Sequence, residues 1–284
     1  MTASASWYAD LHTHTTASDG LTSPEELVRL AAHAGLQAIA ICDHDTVAGS
    51  LQASALPSLP IRIIPGIEMS ANVGEDEVHV LGYFLDLESP HLTRALAELR
   101  HQRIERMRKF CVRLTELGLP LDFSDVQAES SGESIGRPHV ARAMIKRGYV
   151  GSVNDAFERY LASGRPAFVP RTDVTPEWSI ELIHASGGIA SLAHPFTIAE
   201  PYLMIEHLID HGLDAIEVEY GEYNASQRTW LRQVAAEFDL LTTGGSDFHG
   251  EGHREDAPLG SGGVSQSQVD AMAMRSMRYK ANQP

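Results

Sequence analysis

The sequence predicts an α/β fold in which short apolar strands alternate with helices, and two observations point to it. Apolar, strand-like runs recur on both sides of a long helical region, and helical segments separate most of them. Histidine, aspartate and glutamate residues stand at the ends of many of these runs. The 284 residues suffice for one large domain or for one domain with an insertion.

The first part of the chain shows the alternation of strands and helices. A strand-like run covers residues 7–11, and a helix is expected over residues 24–34. Ser23 can cap this helix, Pro24 suits its first turn and Gly35 ends it. The next expected elements are a strand at 38–42, a short helix at 46–55, and strands at 61–68 and 77–84. This order favours a mostly parallel sheet.

The middle of the chain carries only helices. The longest is expected over residues 91–117, where apolar residues recur at helical spacing, and Gly118 and Pro120 end it. Shorter helices are expected near residues 138–147 and 153–161. No strand is evident in this region, so we interpret it as an insertion rather than as another strand–helix unit.

The last part of the chain returns to the alternation from Ala167 onwards. Its expected elements are helices at 175–184, 201–211, 224–237 and 265–284, and strands ending at His194, Tyr220 and Thr243. The whole chain then holds roughly seven strand–helix units. We therefore divide it into a body of strand–helix units, residues 1–85 and 167–284, and a helical, basic insertion of residues 86–166.

Charge is distributed unevenly between these regions. The formal net charge is −16, yet residues 88–171 hold fourteen of the 22 Lys and Arg residues and ten of the 38 Asp and Glu residues. An acidic body with one basic region suits a small anionic substrate and argues against binding of duplex nucleic acid. The basic run from Arg100 to Arg113 is expected to form a solvated helix face, of which only a part needs to face a site.

The sequence also bears on the cellular compartment. No apolar run approaches the length of a membrane span, and residues Met1 to Ser6 lack the features of a signal peptide. Cys42 and Cys111 fall in apolar elements and are expected to be buried thiols. We therefore expect a cytoplasmic protein without a membrane partner, and the sequence does not indicate an oligomeric state.

The segment from Asp10 to Asp19 is the one around which the other motifs group. Its residues His12 and His14 point to the same side of a strand, and neighbouring imidazoles can hold a metal ion. Residues of ligand type recur at or within later strands: Asp43, His44, Asp45, Glu68, His79, His194, Asp247 and His249. The carboxyl ends of strands are where β/α barrels build their active sites, so these side chains are expected to meet.

These motifs resemble those of the polymerase-and-histidinol-phosphatase (PHP) family. DLHTHTTASDG, CDHDT, GIEMS, VHVLGY, AHP and SDFH occur in the family's order and span Asp10 to His249. The stretch IGRPHVA, which contains Arg137 and His139, resembles the TrpH-like branch, whose members act on nucleotide phosphates. The resemblance implies a distorted (β/α)7, TIM-like barrel of the PHP type with a helical insertion.

The resemblance further implies up to three metal ions. The first would be held by His12, His14, Glu68 and Asp247, the second by Asp19, His44 and His249, and the third by Glu68, His79 and His194. Imidazoles and carboxylates without cysteine suit Mn²⁺, Fe²⁺ or Zn²⁺. Asp19 stands where many family members have histidine, and this added carboxylate favours Mn²⁺.

Several residues are expected to act on the substrate. Metal ions supply a hydroxide near neutral pH, so the attacking group is expected to be a metal-bridging hydroxide rather than a side chain. Catalytic roles are expected for Glu68, Asp247 and His194, and His194 either holds the third ion or donates a proton to the leaving oxygen. Arg137 offers a two-pronged contact to phosphate, and His139 and Arg171 are further candidates for substrate binding.

The function indicated is a metal-dependent phosphatase acting on a small nucleotide, and the resemblance to the TrpH-like branch implies removal of the 3'-phosphate from a 3',5'-nucleoside bisphosphate. A 5'-to-3' exonuclease on short RNA and a histidinol-phosphate phosphatase use the same chemistry and remain alternatives. A non-catalytic PHP module or a metal-storage protein would be of a different class. The sequence shows no GxSxG stretch, no P-loop and no GxGxxG after a strand.

Overall fold

Seven strands form a single curved sheet in which neighbours along the chain are neighbours in the sheet. The strands are β1 (Ala9–Thr13), β2 (Ala38–Ile41), β3 (Arg62–Val73), β4 (Asp76–Tyr83), β5 (Ile189–Leu192), β6 (Ala215–Glu217) and β7 (Leu241–Thr243). This computed structural model describes residues 7–58, 61–74, 76–171, 174–250 and 258–281. The α/β class predicted from the sequence is confirmed.

Strand direction departs from the prediction at one strand. β1, β2 and β3 are parallel, as are β5, β6 and β7, but β4 is antiparallel to both of its neighbours. β3 is longer than expected and passes into β4 without a helix, with Ser70 opposite His79. This hairpin brings the first half of β4 to the carboxyl ends of the parallel strands.

Backbone hydrogen bonds curl the sheet towards a barrel. The Leu11 amide donates to the Gly244 carbonyl at 3.1 Å, and the Asp247 amide donates to the His12 carbonyl at 2.8 Å. Both contacts join β1 to the segment that follows β7. They bring the two ends of the sheet, and the motifs at those ends, into contact.

Ten α-helices occur in the described ranges. They are α1 (Pro24–His33), α2 (Ala48–Ser54), α3 (Pro90–Glu116), α4 (Phe123–Gln127), α5 (Arg137–Lys146), α6 (Val153–Ala156), α7 (Pro176–Ala185), α8 (Pro201–Ile209), α9 (Ala225–Glu237) and α10 (Gln266–Lys280). Two features differ from the prediction: α4 was not expected, and α6 passes after one turn into a π-helical turn at Phe157–Leu161. Where the helix start was predicted, Ser23 caps α1 by accepting from the Glu26 amide.

Helix α3 connects two hydrophobic cores. Its first half contributes Leu92, Leu96 and Leu99 to the core formed with α7, α8, α9 and the sheet. Its second half contributes Met107, Phe110, Cys111 and Leu114 to a separate core formed with α4, α5 and residues 150–169. Arg103 and Arg106 lie between these two groups of apolar residues.

Two expectations concern burial and membranes. Cys42 and Cys111 are buried free thiols, as predicted. Within the described part of the chain, no helix is both long enough and apolar enough to cross a membrane. Residues Met1 to Ser6, which were examined for a signal peptide, lie outside the described residues.

Candidate metal centre

The nine predicted metal ligands lie together at the end of the barrel where the parallel strands finish. Six different strands or the loops that follow them supply the side chains: His12, His14 and Asp19 at β1, His44 after β2, Glu68 in β3, His79 in β4, His194 after β5, and Asp247 and His249 after β7. His14 and His249 stack with their ring centroids 4.0 Å apart. The arrangement is a continuous cluster of imidazoles and carboxylates.

Glu68 lies at the centre of this cluster. Its Oε2 atom is 3.0 Å from His44 Nδ1 and 3.2 Å from His14 Nε2. Its Oε1 atom is 2.8 Å from His79 Nδ1 and 3.2 Å from His194 Nε2. Each oxygen therefore faces a different set of imidazoles, which is the arrangement needed to bridge two ions.

The polar atoms of the cluster fit metal ions. Several of them are buried and make no hydrogen bond of good geometry among the described residues, although other ligand atoms lie close to them: His12 Nε2, both ring nitrogens of His14 and His79, Asp19 Oδ1 and Glu68 Oε2. Buried polar atoms are almost always paired, so a cluster of unpaired ligand atoms indicates cations in the functional protein. The donor set, nitrogen and oxygen without sulfur, suits Mn²⁺, Fe²⁺ or Zn²⁺.

The grouping of ligand atoms partly follows the sets implied by the resemblance. His12, His14 and Glu68 form one group, and Asp19, His44 and His249 form another that His14 joins. The third set is arranged differently. Glu68 and His79 group with His44, while His194 groups with His12 and Asp247.

Neighbouring carboxylates raise the pKa of three of the imidazoles, His12, His14 and His79. Burial lowers the pKa of His14, but Asp247 and Glu68 outweigh burial and raise it to about 9. Burial likewise opposes protonation of His79, yet Glu68 and Glu77 raise its pKa to about 10. The metal-free cluster therefore holds protons at neutral pH that ions must displace.

We expect metal binding to release protons and to strengthen as pH rises. Ligand imidazoles must be neutral, so protons compete with the ions below the raised pKa values of His14 and His79. Apparent affinity for Mn²⁺ should therefore increase from about pH 6 to about pH 9. Calorimetric titrations at pH 7 in buffers of different ionisation enthalpy should show at least one proton released per chain. Binding without any proton release would contradict this protonation scheme.

A carboxylate that the sequence analysis missed supports two of the imidazoles. Glu217, at the end of β6, is fully buried, and its Oε1 lies 3.0 Å from His12 Nδ1. Its Oε2 accepts from the His194 amide at 2.8 Å. A carboxylate on Nδ1 leaves Nε2 of His12 to hold an ion and fixes the orientation of the ring. The sequence analysis missed Glu217 because it placed the end of this strand at Tyr220, whereas β6 ends at Glu217.

Replacement of Glu217 by glutamine should weaken metal binding by roughly ten- to a hundredfold. Both oxygens of Glu217 accept hydrogen bonds, and glutamine has only one acceptor oxygen. The measurement is a Mn²⁺ competition titration against a coloured chelator. Glu219→Gln is the matched control, because Glu219 is a buried carboxylate close by in sequence that pairs with Arg228 and Arg232 instead. Equal losses in the two variants would remove the supporting role of Glu217.

Backbone conformation is unusual at three residues of the site. Asp45, His194 and Asp247 have φ angles of 51°, 28° and 55°, in the left-handed region that non-glycine residues rarely adopt. The Asp247 carboxylate is also fixed by the Tyr220 hydroxyl, which donates to its Oδ2 atom at 2.9 Å. Such strained conformations cluster at functional sites, where the surrounding structure holds them in place.

A cavity of about 520 Å³ separates the metal cluster from the helical insertion. Four arginines line it: Arg103 and Arg106 from α3, Arg137 at the start of α5, and Arg171. Asp45 forms ion pairs with Arg103 and Arg171, and Glu77 pairs with Arg137. Four guanidinium groups thus share two carboxylates, which leaves excess positive charge among these six groups beside the metal cluster.

The predicted substrate-binding residues divide into two kinds. Arg137 and Arg171 line the cavity, as expected of residues that contact a substrate. His139 does not lie among the described lining residues. Its ring is buried, and Nδ1 accepts from the Gly136 amide at 3.0 Å, so it caps α5. Burial lowers the pKa of His139 to about 4, which keeps it a neutral acceptor.

Two further arginines of the cavity form the part of the basic helix run that faces the site, and this part is not solvated. Arg103 and Arg106 are each only 8% exposed, whereas Arg100 and Arg108 on the same helix are largely exposed. Their spacing was the available signal. With Leu99 and Phe110, these residues recur at intervals of four and three, which places them on one helix face.

Comparisons with known proteins agree with this geometry. Residues 10–154 match the PHP domain family. The 5'-3' exoribonuclease Rnm of Escherichia coli K12 is 35% identical over 247 residues, which are 84% of each chain. A 3',5'-nucleoside bisphosphate phosphatase of Chromobacterium violaceum is 32% identical over 262 residues, covering 88% of this chain and 92% of that protein.

Solved structures extend the likeness to the fold. A Bifidobacterium adolescentis protein, proposed to be a metal-dependent phosphoesterase, matches with a TM-score of 0.85 at 30% identity, covering 95% of this chain and 96% of its own. An amidohydrolase from Chromobacterium violaceum matches with a TM-score of 0.81 at 30% identity over 88% and 89% of the two chains. The expected PHP-type barrel is therefore confirmed. The chain belongs to the PHP domain family of metal-dependent phosphoesterases.

Proposed function

We propose that the protein hydrolyses the ester bond at the 3'-phosphate of a nucleotide that also carries a 5'-phosphate, with a 3',5'-nucleoside bisphosphate as the simplest substrate. One observation carries the proposal: a cavity lined both by metal ligands and by four arginines. Metal ions would neutralise the phosphate being cleaved, and the arginines would hold a second phosphate.

The arginine side of the cavity has unused hydrogen-bonding capacity. Arg106 Nη2 and Arg171 Nε are buried and have no hydrogen-bond partner among the described residues. Burial, together with the charges of Arg137, Arg171 and Arg103, lowers the pKa of Arg106 to about 9. A phosphate placed there would pair these donors and offset the mutual repulsion of the guanidinium groups.

A second candidate activity, 5'-to-3' exonuclease cleavage of short RNA, is favoured by the 35% identity to Rnm. Freeing a 5'-nucleotide from an RNA end requires cleavage on the 3' side of the first nucleotide. If its 3'-oxygen leaves, the broken bond is the one that phosphatase action breaks. The two reactions then differ only in whether the 3'-phosphate carries another nucleoside, so the partner in both is a small anionic nucleotide or a short single strand.

His194 and Thr197 would position groups for the reaction. When bound, the ions supply hydroxide near neutral pH and neutralise phosphoryl oxygens, and we infer two or three ions with Mn²⁺ as the working metal. The Thr197 hydroxyl donates to the His194 carbonyl, so its oxygen accepts from His194 Nδ1 at 3.1 Å. Nε2 of His194 is then directed to an ion or, when protonated, to the leaving oxygen.

Substrate profiling tests this proposal. Mn²⁺-loaded protein should be assayed on adenosine 3',5'-bisphosphate, a 5'-phosphorylated RNA pentamer, histidinol phosphate and p-nitrophenyl phosphate, with phosphate and mononucleotides counted separately. We expect phosphate and adenosine 5'-monophosphate from the bisphosphate, and 5'-mononucleotides from the RNA if the second activity is present. Faster hydrolysis of histidinol phosphate, or no turnover of any nucleotide, would overturn the proposal.

A further inference from the structure

One part of the cavity wall is formed by residues other than the metal ligands and the arginines. The remaining lining is mostly charged or imidazole, but α6 and the π-helical turn contribute Val153, Asn154 and Phe157. Val153 and Phe157 are four residues apart and partly buried, while Asn154 is exposed. These three residues therefore present an apolar surface with one amide at its edge.

Local structure places this surface beside the arginines. The Ala162 amide bonds to the Phe157 carbonyl at 3.1 Å, five residues back, which forms the wide π turn. π turns of this kind occur frequently at functional sites. The guanidinium carbon of Arg137 lies 5.1 Å from the centre of the Phe157 ring. A ligand that reaches Arg137 with a phosphate therefore lies next to the aromatic ring.

We propose that Val153, Asn154 and Phe157 form the binding site for the nucleobase of the substrate, and that the Asn154 amide selects adenine. The inference rests on the proposed nucleotide substrate. Aromatic side chains stack on bases of every kind, so Phe157 supplies affinity without much selectivity. An amide presents a donor and an acceptor side by side, which matches the amino group and N7 of adenine. Guanine presents two acceptors on that edge, and the pyrimidines have no N7.

Binding measurements test the aromatic part without requiring turnover. Adenosine 5'-monophosphate and ribose 5-phosphate are titrated into metal-loaded protein, and their difference isolates the base. Phe157→Leu should weaken binding of adenosine 5'-monophosphate by roughly five- to a hundredfold and leave ribose 5-phosphate within about twofold. Tyr160→Leu is the matched control, because Tyr160 lies on the same turn outside the residues that line the cavity. Equal loss for both ligands, or no loss, would overturn the proposal.

Selectivity tests the role of Asn154. Wild-type protein should bind adenosine 5'-monophosphate more tightly than the guanosine, cytidine and uridine 5'-monophosphates, and Asn154→Ala should reduce that preference. Asn154→Asp removes the hydrogen-bond donor. It should weaken the binding of adenosine 5'-monophosphate more than Asn154→Ala does. An unchanged order of bases in both variants would refute base selection. If wild-type protein binds adenosine 5'-monophosphate but hydrolyses no nucleotide, the catalytic proposal fails while the base site stands.

Discussion

Glu68→Ala should reduce turnover on the order of a thousandfold, equivalent to about 4 kcal/mol of transition-state stabilisation, and should remove at least one ion per chain. The reason is geometric, because the two oxygens of Glu68 face different imidazoles of the cluster. No other described carboxylate lies within 3.4 Å of the rings of His12, His14, His44, His79 and His194 together. Elemental analysis and steady-state kinetics on the same preparation measure both effects.

The control for Glu68→Ala is the wild-type protein stripped by a chelator. Mn²⁺ should restore the stripped wild type but not the variant, since the variant lacks the carboxylate that would hold two ions together. Melting of the two metal-free proteins shows whether the variant is folded. A folded variant with a full complement of ions and near-normal turnover would exclude the bridging arrangement.

Arg106→Met should lower kcat/KM for adenosine 3',5'-bisphosphate by roughly ten- to a hundredfold, the value of a charge-assisted hydrogen bond of about 1.5–3 kcal/mol. Methionine keeps the packing of the buried stem while removing the charge that faces the cavity. Arg137→Ala should also lower kcat/KM for adenosine 3',5'-bisphosphate. Hydrolysis of p-nitrophenyl phosphate, which carries one phosphate, should change by less than about threefold.

The matched control for this series is Arg108→Met. Arg108 lies on the same helix two residues beyond Arg106, but its side chain is 58% exposed and pairs only loosely with Glu105. Arg108→Met should leave kcat/KM unchanged for both substrates. If Arg106→Met reduces activity on both substrates equally, the arginine acts on the cleaved phosphate or on folding rather than on a second phosphate.

The sequence located most of the fold because local signals agreed with it. Helix starts such as Ser23 and Pro24 and the strand-end positions of the ligands were readable directly. The direction of β4 could not be predicted from the sequence, because period-two alternation is the same for parallel and antiparallel strands. Its reversal explains why His79 lies within a strand rather than after one: the hairpin carries the amino-terminal half of β4 to the site.

The sequence also indicated the metal cluster more fully than the opposite wall of the cavity. Ligand residues are chemically distinctive, and the family motifs supplied their order. Burial of Arg103 and Arg106 depends instead on how the insertion packs against the barrel, which a helical charge pattern does not reveal. His139 shows the converse, since a motif histidine serves as a helix cap through a backbone contact that the motif does not specify.

The continuity of α3 has a consequence for the kinetics of the protein. Its 27 residues form a rod about 40 Å long, with no glycine and no proline after Pro90 at which it could bend. Because one end is fixed in the barrel core and the other in the insertion core, the insertion cannot swing about this helix as a lid. We therefore expect the rates of ligand association and product release not to be limited by a swing of the insertion about this helix.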